Sequence, residues 1–267
     1  MADKYRKEWI HSANRRMRDM VNRKDVTSHL NGEIEKRILT MDGAMGTMVQ
    51  TYELDESDFR GERFGDSIID LKGNNEVLNI TGKEIIREIH KKYIDSGCDI
   101  IETNTFSATS TAQEEYGLQE YAREMNLNAA RIAREVVDEY NENDKAEMRF
   151  VAGSVGPTNR TLSSSESVDD PSHRIITFDE LYNAYYEQII SLIEGGVDII
   201  LIETIFDVLN AKAAIAATLD AFEELKIELP IMISVTFIQE GNNRTVFGQT
   251  VDAFWATIAH AEPFSVG

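Results

Sequence analysis

From Arg37 onward, short aliphatic runs alternate with longer amphipathic stretches, and nearly every run ends on polar residues. The clearest runs are residues 37–42 (RILTMD), 99–104 (DIIETN), 149–154 (RFVAGS), 198–203 (DIILIE) and 230–236 (PIMISVT). Runs this short and this apolar suit parallel strands covered on both faces. Residues 263–267 read as the start of a sixth. Between the runs the apolar period changes to that of a helix. Residues 84–96 place Ile85, Ile86, Ile89 and Tyr93 on one stripe, and residues 181–194 do the same with Tyr185, Ile189 and Leu192. Residues 121–140 and 208–224 predict two more long helices. Segments 93–103 and 192–204 share one design, in which a helix ends near Gly, an Asp opens a strand and a Glu-Thr closes it.

Regular alternation of strand and helix implies the α/β class. An open doubly wound sheet would concentrate its polar residues at one switch point. Here they stand at the C-terminal ends of nearly every strand, where β/α barrels build their sites. The expectation is therefore a (β/α)8 TIM-type barrel over residues 37–267, incomplete at about five to six β/α units. A polar, helix-prone arm over residues 1–36 precedes it and ends near Asn31 and Gly32.

Bulk properties remove several function classes. A net charge of −20 argues against a broad basic surface for nucleic acid. One cysteine, Cys98, allows no intramolecular disulfide. No apolar stretch approaches the roughly 18 residues of a membrane span. The basic residues of the first two dozen are interrupted by Asp3, Glu8 and Asp19, and no apolar core follows them. That is a poor secretory signal, so the arm reads as a solvated extension and the cytoplasm as the expected compartment.

The strand ends hold the candidate chemistry. Asp42-Gly43-Ala44-Met45-Gly46 closes the first run. Its glycines allow a sharp turn with exposed N–H groups that can hold a carboxylate, and Asp42 can take an ammonium or a proton. The same stretch also suits a purely structural turn. Glu102, Thr103, Asn104 and Thr105 end the second run, and Glu203 with Thr204 ends the fourth. A glutamate following buried aliphatics is costly unless it meets solvent, a cation or a ligand amine. Residues 153–159 lack the Lys-Ser/Thr of a phosphate-binding loop, so they either pack against a ligand or form an ordinary turn. Cys98 precedes a strand on the opposite side and reads as buried filler. The histidines His11, His29, His90, His173 and His260 have no metal-ligand spacing. No strand-end lysine is present for Schiff-base chemistry, which argues against an aldolase.

Residues 41–47 (MDGAMGT) resemble the first-strand signature of the homocysteine S-methyltransferases. Residues 58–64 (DFRGERF), 70–75 (DLKGNN) and 99–106 (DIIETNTF) are similar to the cobalamin-dependent methionine synthases within that family. So are residues 156–161, 176–179, 202–207 and 210–213. The resemblance implies a barrel that binds homocysteine and a zinc ion, held by three cysteines, that binds the substrate sulfur as thiolate. Methylcobalamin would supply the methyl group, with neighbouring cobalamin- and folate-binding modules recharging it from 5-methyltetrahydrofolate. By position, Asp42 and Glu203 would hold the homocysteine amino group. The backbone at Gly43 and Ala44 would take the carboxylate, and Glu102, Asn104 and Thr105 would shape the pocket floor. The family's zinc cysteines lie beyond the position of Gly267, so the chain is expected to be truncated before them and inactive alone, with no stoichiometric zinc and weak or no homocysteine binding. The alternative is a non-catalytic, zinc-free homocysteine- or amino-acid-binding fragment. Val235 and Phe247 replace smaller family residues and are expected to add bulk near the pocket.

Overall fold

A computed structural model describes residues 7, 9–10, 24–143, 148–165, 167, 169–237 and 243–267. Five parallel strands form one sheet in sequence order: β1 (Ile100–Glu102), β2 (Phe150–Val155), β3 (Ile199–Ile205), β4 (Ile231–Val235) and β5 (Ser265–Val266). The main helices are α1 (Lys24–Ile34), α2 (Met45–Gln50), α3 (Lys83–Asp95), α4 (Ala122–Asn143), α5 (Phe178–Gly195), α6 (Val208–Leu225) and α7 (Val251–Ile258). Helix after strand, with every strand pair parallel and neighbouring in sequence, is the repeating unit of a β/α barrel. The fold is a partial barrel of the (β/α)8 type.

The expected first strand is the one departure among the strands. Residues 37–42 run beside β1 but join it by a single parallel bridge, Met41 to Ile100, with the Asp42 N–H donating to the Ile100 carbonyl at 2.9 Å. A side chain replaces part of the missing ladder. Asp99 Oδ2 accepts the Thr40 N–H at 2.8 Å, and Arg37 pairs with the same carboxylate at 2.8 Å. The second copy of the helix–Gly–Asp–strand design repeats this chemistry. Asp198 Oδ2 accepts the Val151 N–H at 2.9 Å and pairs with Arg134 at 2.7 Å. Each aspartate thus pins the start of the preceding strand, which explains its recurrence. The helices before them end at Gly97 and Gly196, with φ of 94° and 109°, a conformation costly for any residue carrying a Cβ.

Local signals account for the helix ends. Thr177 caps α5 by accepting the Glu180 N–H at 3.2 Å, while the Glu180 carboxylate accepts the Thr177 N–H at 2.8 Å. Asp207 caps α6 by accepting the Leu209 N–H at 2.9 Å. Outward-facing Val151, Val155, Ile200 and Ile202 join the helices in the largest apolar cluster.

Inward-facing side chains form a second cluster, with Ile100, Phe150, Ala152, Ile199 and Leu201 packed against Leu39, Met41 and Met232. The described part of the arm closes its lower end. Helix α1 continues through Asn31 and Gly32 to Ile34 and buries Leu30 completely in this cluster, so it is not wholly a solvated extension. Residues 1–6, 8 and 11–23 of the arm lie outside the described residues. No helix among the described residues is long and apolar enough to cross a membrane.

Candidate functional site

Side chains alternate faces along a strand. The register that turns Ile100, Phe150, Ala152, Ile199 and Leu201 into the barrel therefore also turns in Glu102, Ser154 and Glu203 one layer higher. These polar residues line a cleft of about 580 Å³ at the C-terminal end of the strands. Asp42, Gly43, Ala44, Glu102, Asn104, Thr105 and Glu203, the candidates read from the sequence, all border it.

Asp42 sits where the first run turns into α2. Its Oδ2 accepts the Glu102 N–H at 3.0 Å, while its Oδ1 is buried with no hydrogen-bond partner. Glu203 stands at an irregularity in β3, where the register to β4 shifts between Ile202 and Ile205. There Thr204 adopts φ 56°, and its N–H donates to Ser234 Oγ at 3.1 Å. A bulge of this kind re-aims the neighbouring side chain. Ser154 Oγ donates to Glu203 Oε1 from the adjacent strand.

Burial dominates the electrostatics. It pushes Asp42 up to about 7 against the opposing Glu102 N–H, and the Glu203 charge adds to the rise. Burial pushes Glu102 up to about 8, helped by the charges of Glu203 and Asp42. Glu203 is also raised by burial, with the Ser154 and Thr204 hydroxyls opposing. No described lysine or arginine contributes to any of these shifts. The cleft thus gathers buried carboxylates that lack a counter-charge, an arrangement that favours a cationic ligand.

Asn104 and Thr105 are committed to the wall. The Asn104 amide donates to the Asn75 carbonyl at 2.7 Å and to Asn79 Oδ1 at 3.1 Å, and the Asn79 amide returns a bond to the Asn104 carbonyl at 2.7 Å. The Thr105 hydroxyl donates to the Ser154 carbonyl at 2.7 Å. Its single proton being used there, the 2.6 Å contact with Thr103 must have Thr103 as donor. Both residues shape the cleft without offering a free donor.

Ser154, the polar end of the 149–154 run, adds to the wall, and the rest includes residues that strand patterning does not single out: Asn75, Glu76, Gln113 and Tyr116. Glu76 is buried, which raises its pKa, and it accepts the Ser107 N–H at 2.9 Å. Gln113 exchanges amide hydrogen bonds with Asn74 and donates to the Ser107 carbonyl at 3.0 Å. The 70–75 motif is the one sequence signal for this side of the cleft.

Val235 and Phe247 do not add bulk here. Neither lines the cleft, and Val235 packs instead against the main core between β3 and β5. Residue 235 follows the inward Ser234 and so faces the helices, which is why its size does not reach the pocket. Gly156 is constrained, because a Cβ there would lie 2.4 Å from the Phe106 carbonyl oxygen and 2.9 Å from its ring. The loop after β2 can pack on Phe106 at the cleft rim only with glycine at this position.

The residues present do not fit a thiolate-bound zinc. Cys98 is the chain's one cysteine, buried at the opposite end of β1 from the cleft, and burial pushes its thiol up to about 12. Among the described residues, no group of three or more His, Cys, Asp or Glu side chains is placed to hold a metal ion.

Comparison with known proteins agrees with this architecture. The homocysteine methyltransferase MmuM from Escherichia coli superimposes in its metallated form with a TM-score of 0.68 at 19% identity, over 89% of this chain and 76% of that one. Its oxidized form gives 0.67 at 20% identity, over 88% and 74%. Its apo form gives 0.60 at 19%, over 88% and 73%. At such identities the likeness establishes the fold alone. The family assignment comes from the sequence model described as homocysteine S-methyltransferase, which matches residues 39–267, from just before Asp42 through every strand of the sheet. The chain belongs to the homocysteine S-methyltransferase family.

Proposed function

We propose that the cleft binds homocysteine by its amino-acid end, as the substrate-binding part of a cytoplasmic methionine synthase. In that reaction the homocysteine sulfur takes a methyl group from methylcobalamin, which is recharged from 5-methyltetrahydrofolate, and methionine is the product. The observation that carries the reading is the convergence of Asp42, Glu102 and Glu203 without a balancing cation. An amino acid's ammonium group supplies that charge. Asp42 and Glu203 hold it, and the unpartnered Asp42 Oδ1 gains a donor. The backbone at Gly43 and Ala44 takes the carboxylate, where α2 begins without a side-chain cap at Ala44. Glu102, Asn104 and Thr105 form the floor. The motifs at 58–64, 70–75 and 99–106 favour methionine synthase over other members of the family. Cobalamin- and folate-binding modules are the implied partners.

A second reading rests on a specific observation: the lone thiol lies at the wrong end of the barrel to help activate a substrate sulfur. It treats this chain as a non-catalytic amino-acid-binding unit. Both readings require the same ammonium site. Calorimetry with L-homocysteine and with 4-mercaptobutanoate, which lacks the amino group, tests that site. Weak binding of homocysteine, with Kd on the order of 1 mM, and none of the analogue is expected. Equal binding of the two compounds would refute both readings. Methionine formation from methylcobalamin and homocysteine separates them.

A further inference from the structure

A second cavity, of about 390 Å³, lies among α5, the segment after β1 and the loop after β2. Its volume falls in the range of small-molecule sites. Residues 114–115 and 159–160 form a wall between it and the cleft. Glu115 and Asn159 border the cleft, whereas Glu114 and Arg160 border the second cavity. Both sides of that wall are tied across: the Asn159 amide donates to Glu115 Oε1 at 2.6 Å, and the Arg160 guanidinium pairs with Glu114. The two cavities are separate places for a ligand.

Part of the second cavity is apolar and aromatic, supplied by Trp9 of the arm, Ile175, Ile176 and Tyr186. The charges on its described lining are mostly of one sign, with Glu114, Glu180 and Glu187 against Arg160. Two of these carboxylates are committed. Glu114 holds Arg160, and Glu180 accepts the Thr177 N–H and hydroxyl, each at 2.8 Å, in the cap of α5. Glu187 is half-buried, and among the described residues no ion pair reaches it. Arg123 is the cation that acts on it, yet Arg123 pairs with Glu194, donates to Ser191 Oγ at 3.0 Å and lies 5.6 Å from the centre of the Trp9 ring. Burial pushes Glu187 up to about 7 against Arg123 and a hydroxyl bond from Ser110. A carboxylate so short of counter-charge gains most from a bound cation. With Arg160 already paired, a ligand carboxylate would gain little here, so an amine fits better than an amino acid.

We propose that this cavity is a second ligand site for a small primary amine with an apolar or aromatic body, its ammonium on Glu187 and its body against Trp9, Ile175 and Tyr186. Aromatic and aliphatic walls suit such a body, and a ring beside the cation adds to the attraction. The site does not depend on what the cleft binds.

Fluorescence titration of the 267-residue chain with phenethylamine tests the proposal. The chain has two tryptophans, and replacing the half-exposed Trp255 by Trp255→Phe leaves Trp9 as the reporter. At about pH 8 the amine is charged and Glu187 is mostly ionised. A saturable change in Trp9 emission is expected, with Kd on the order of 1 mM. The neutral isostere 2-phenylethanol should bind about tenfold more weakly, as should the amine to Glu187→Gln. Glu203→Gln, which alters the cleft, should leave amine binding unchanged. The absence of a saturable change, equal binding of amine and alcohol, or unchanged amine binding by Glu187→Gln would each overturn the proposal. So would a loss confined to Glu203→Gln, which would put the amine in the cleft. The comparison of amine with alcohol needs no substitution at the site, so it decides the matter even if Glu187→Gln fails to fold.

Discussion

At the scale of single residues, buried charge decides most of the behaviour. Carboxylates with raised pKa values bind protons more tightly in the folded chain than in the unfolded one. Their contribution to stability is complete below the unfolded pKa, about 4, and is lost as pH rises through the folded values near 7 and 8. His90 has the opposite sign. It is buried with neither ring nitrogen partnered and is pushed down to about 4, so it costs stability as pH falls below about 6.5. From about pH 7.5 upward His90 is silent, and Glu187, which burial raises to about 7, titrates over pH 6.5 to 8.5 together with Asp42 and Glu102. Over that range the melting temperature should fall by several degrees, and Asp42→Asn combined with Glu102→Gln should remove part of that fall, with Glu187→Gln removing a further part. A flat wild-type profile would show that none of the three carboxyls is perturbed. Glu203→Gln should weaken homocysteine binding about tenfold, the scale of a lost charged hydrogen bond, with the loss read by calorimetry. Asp42, Glu102 and Glu203 are legible in the sequence because a charge that ends an aliphatic run needs a reason. Glu76 and Gln113 are not, because polar residues in loops are ordinary until folding brings them together.

Among the elements, helices are more legible than strands. The stripes over 84–96 and 181–194 foretell α3 and α5 to within a few residues, because a long amphipathic period and a capping box act locally. The first run is less legible: whether residues 37–42 form a ladder depends on neighbours, and a side chain, Asp99, takes over one of its backbone bonds. The role of Leu30 is hidden for the same reason, since its burial depends on strands far along the chain. Leu30→Ala should cost about 3–5 kcal/mol in urea unfolding, the range for a fully buried leucine; a loss under about 1 kcal/mol would show that α1 does not close the barrel. Close packing also limits Gly195, where a Cβ would meet the Ala130 Cβ at 2.4 Å across the α4–α5 contact. Gly195→Ala should destabilise by about 1–3 kcal/mol, and unchanged stability would mean that the helices are further apart.

For the whole molecule, the partial barrel brings Asp42, Glu102 and Glu203 together in one cleft, which the chain's one cysteine, Cys98, does not line. The 267-residue chain, expressed with added zinc, should retain well below one ion per molecule by elemental analysis, because its one cysteine cannot supply a thiolate set. Stoichiometric zinc would require a donor set of another kind. The most direct test of the ammonium site is a crystal structure of the chain with L-homocysteine. The amino nitrogen should lie about 2.7–3.2 Å from Asp42 Oδ1 and from the Glu203 carboxylate, with the ligand carboxylate at the Gly43–Ala44 backbone. A ligand bound in the reverse sense, or outside the cleft bordered by these carboxylates, would contradict it.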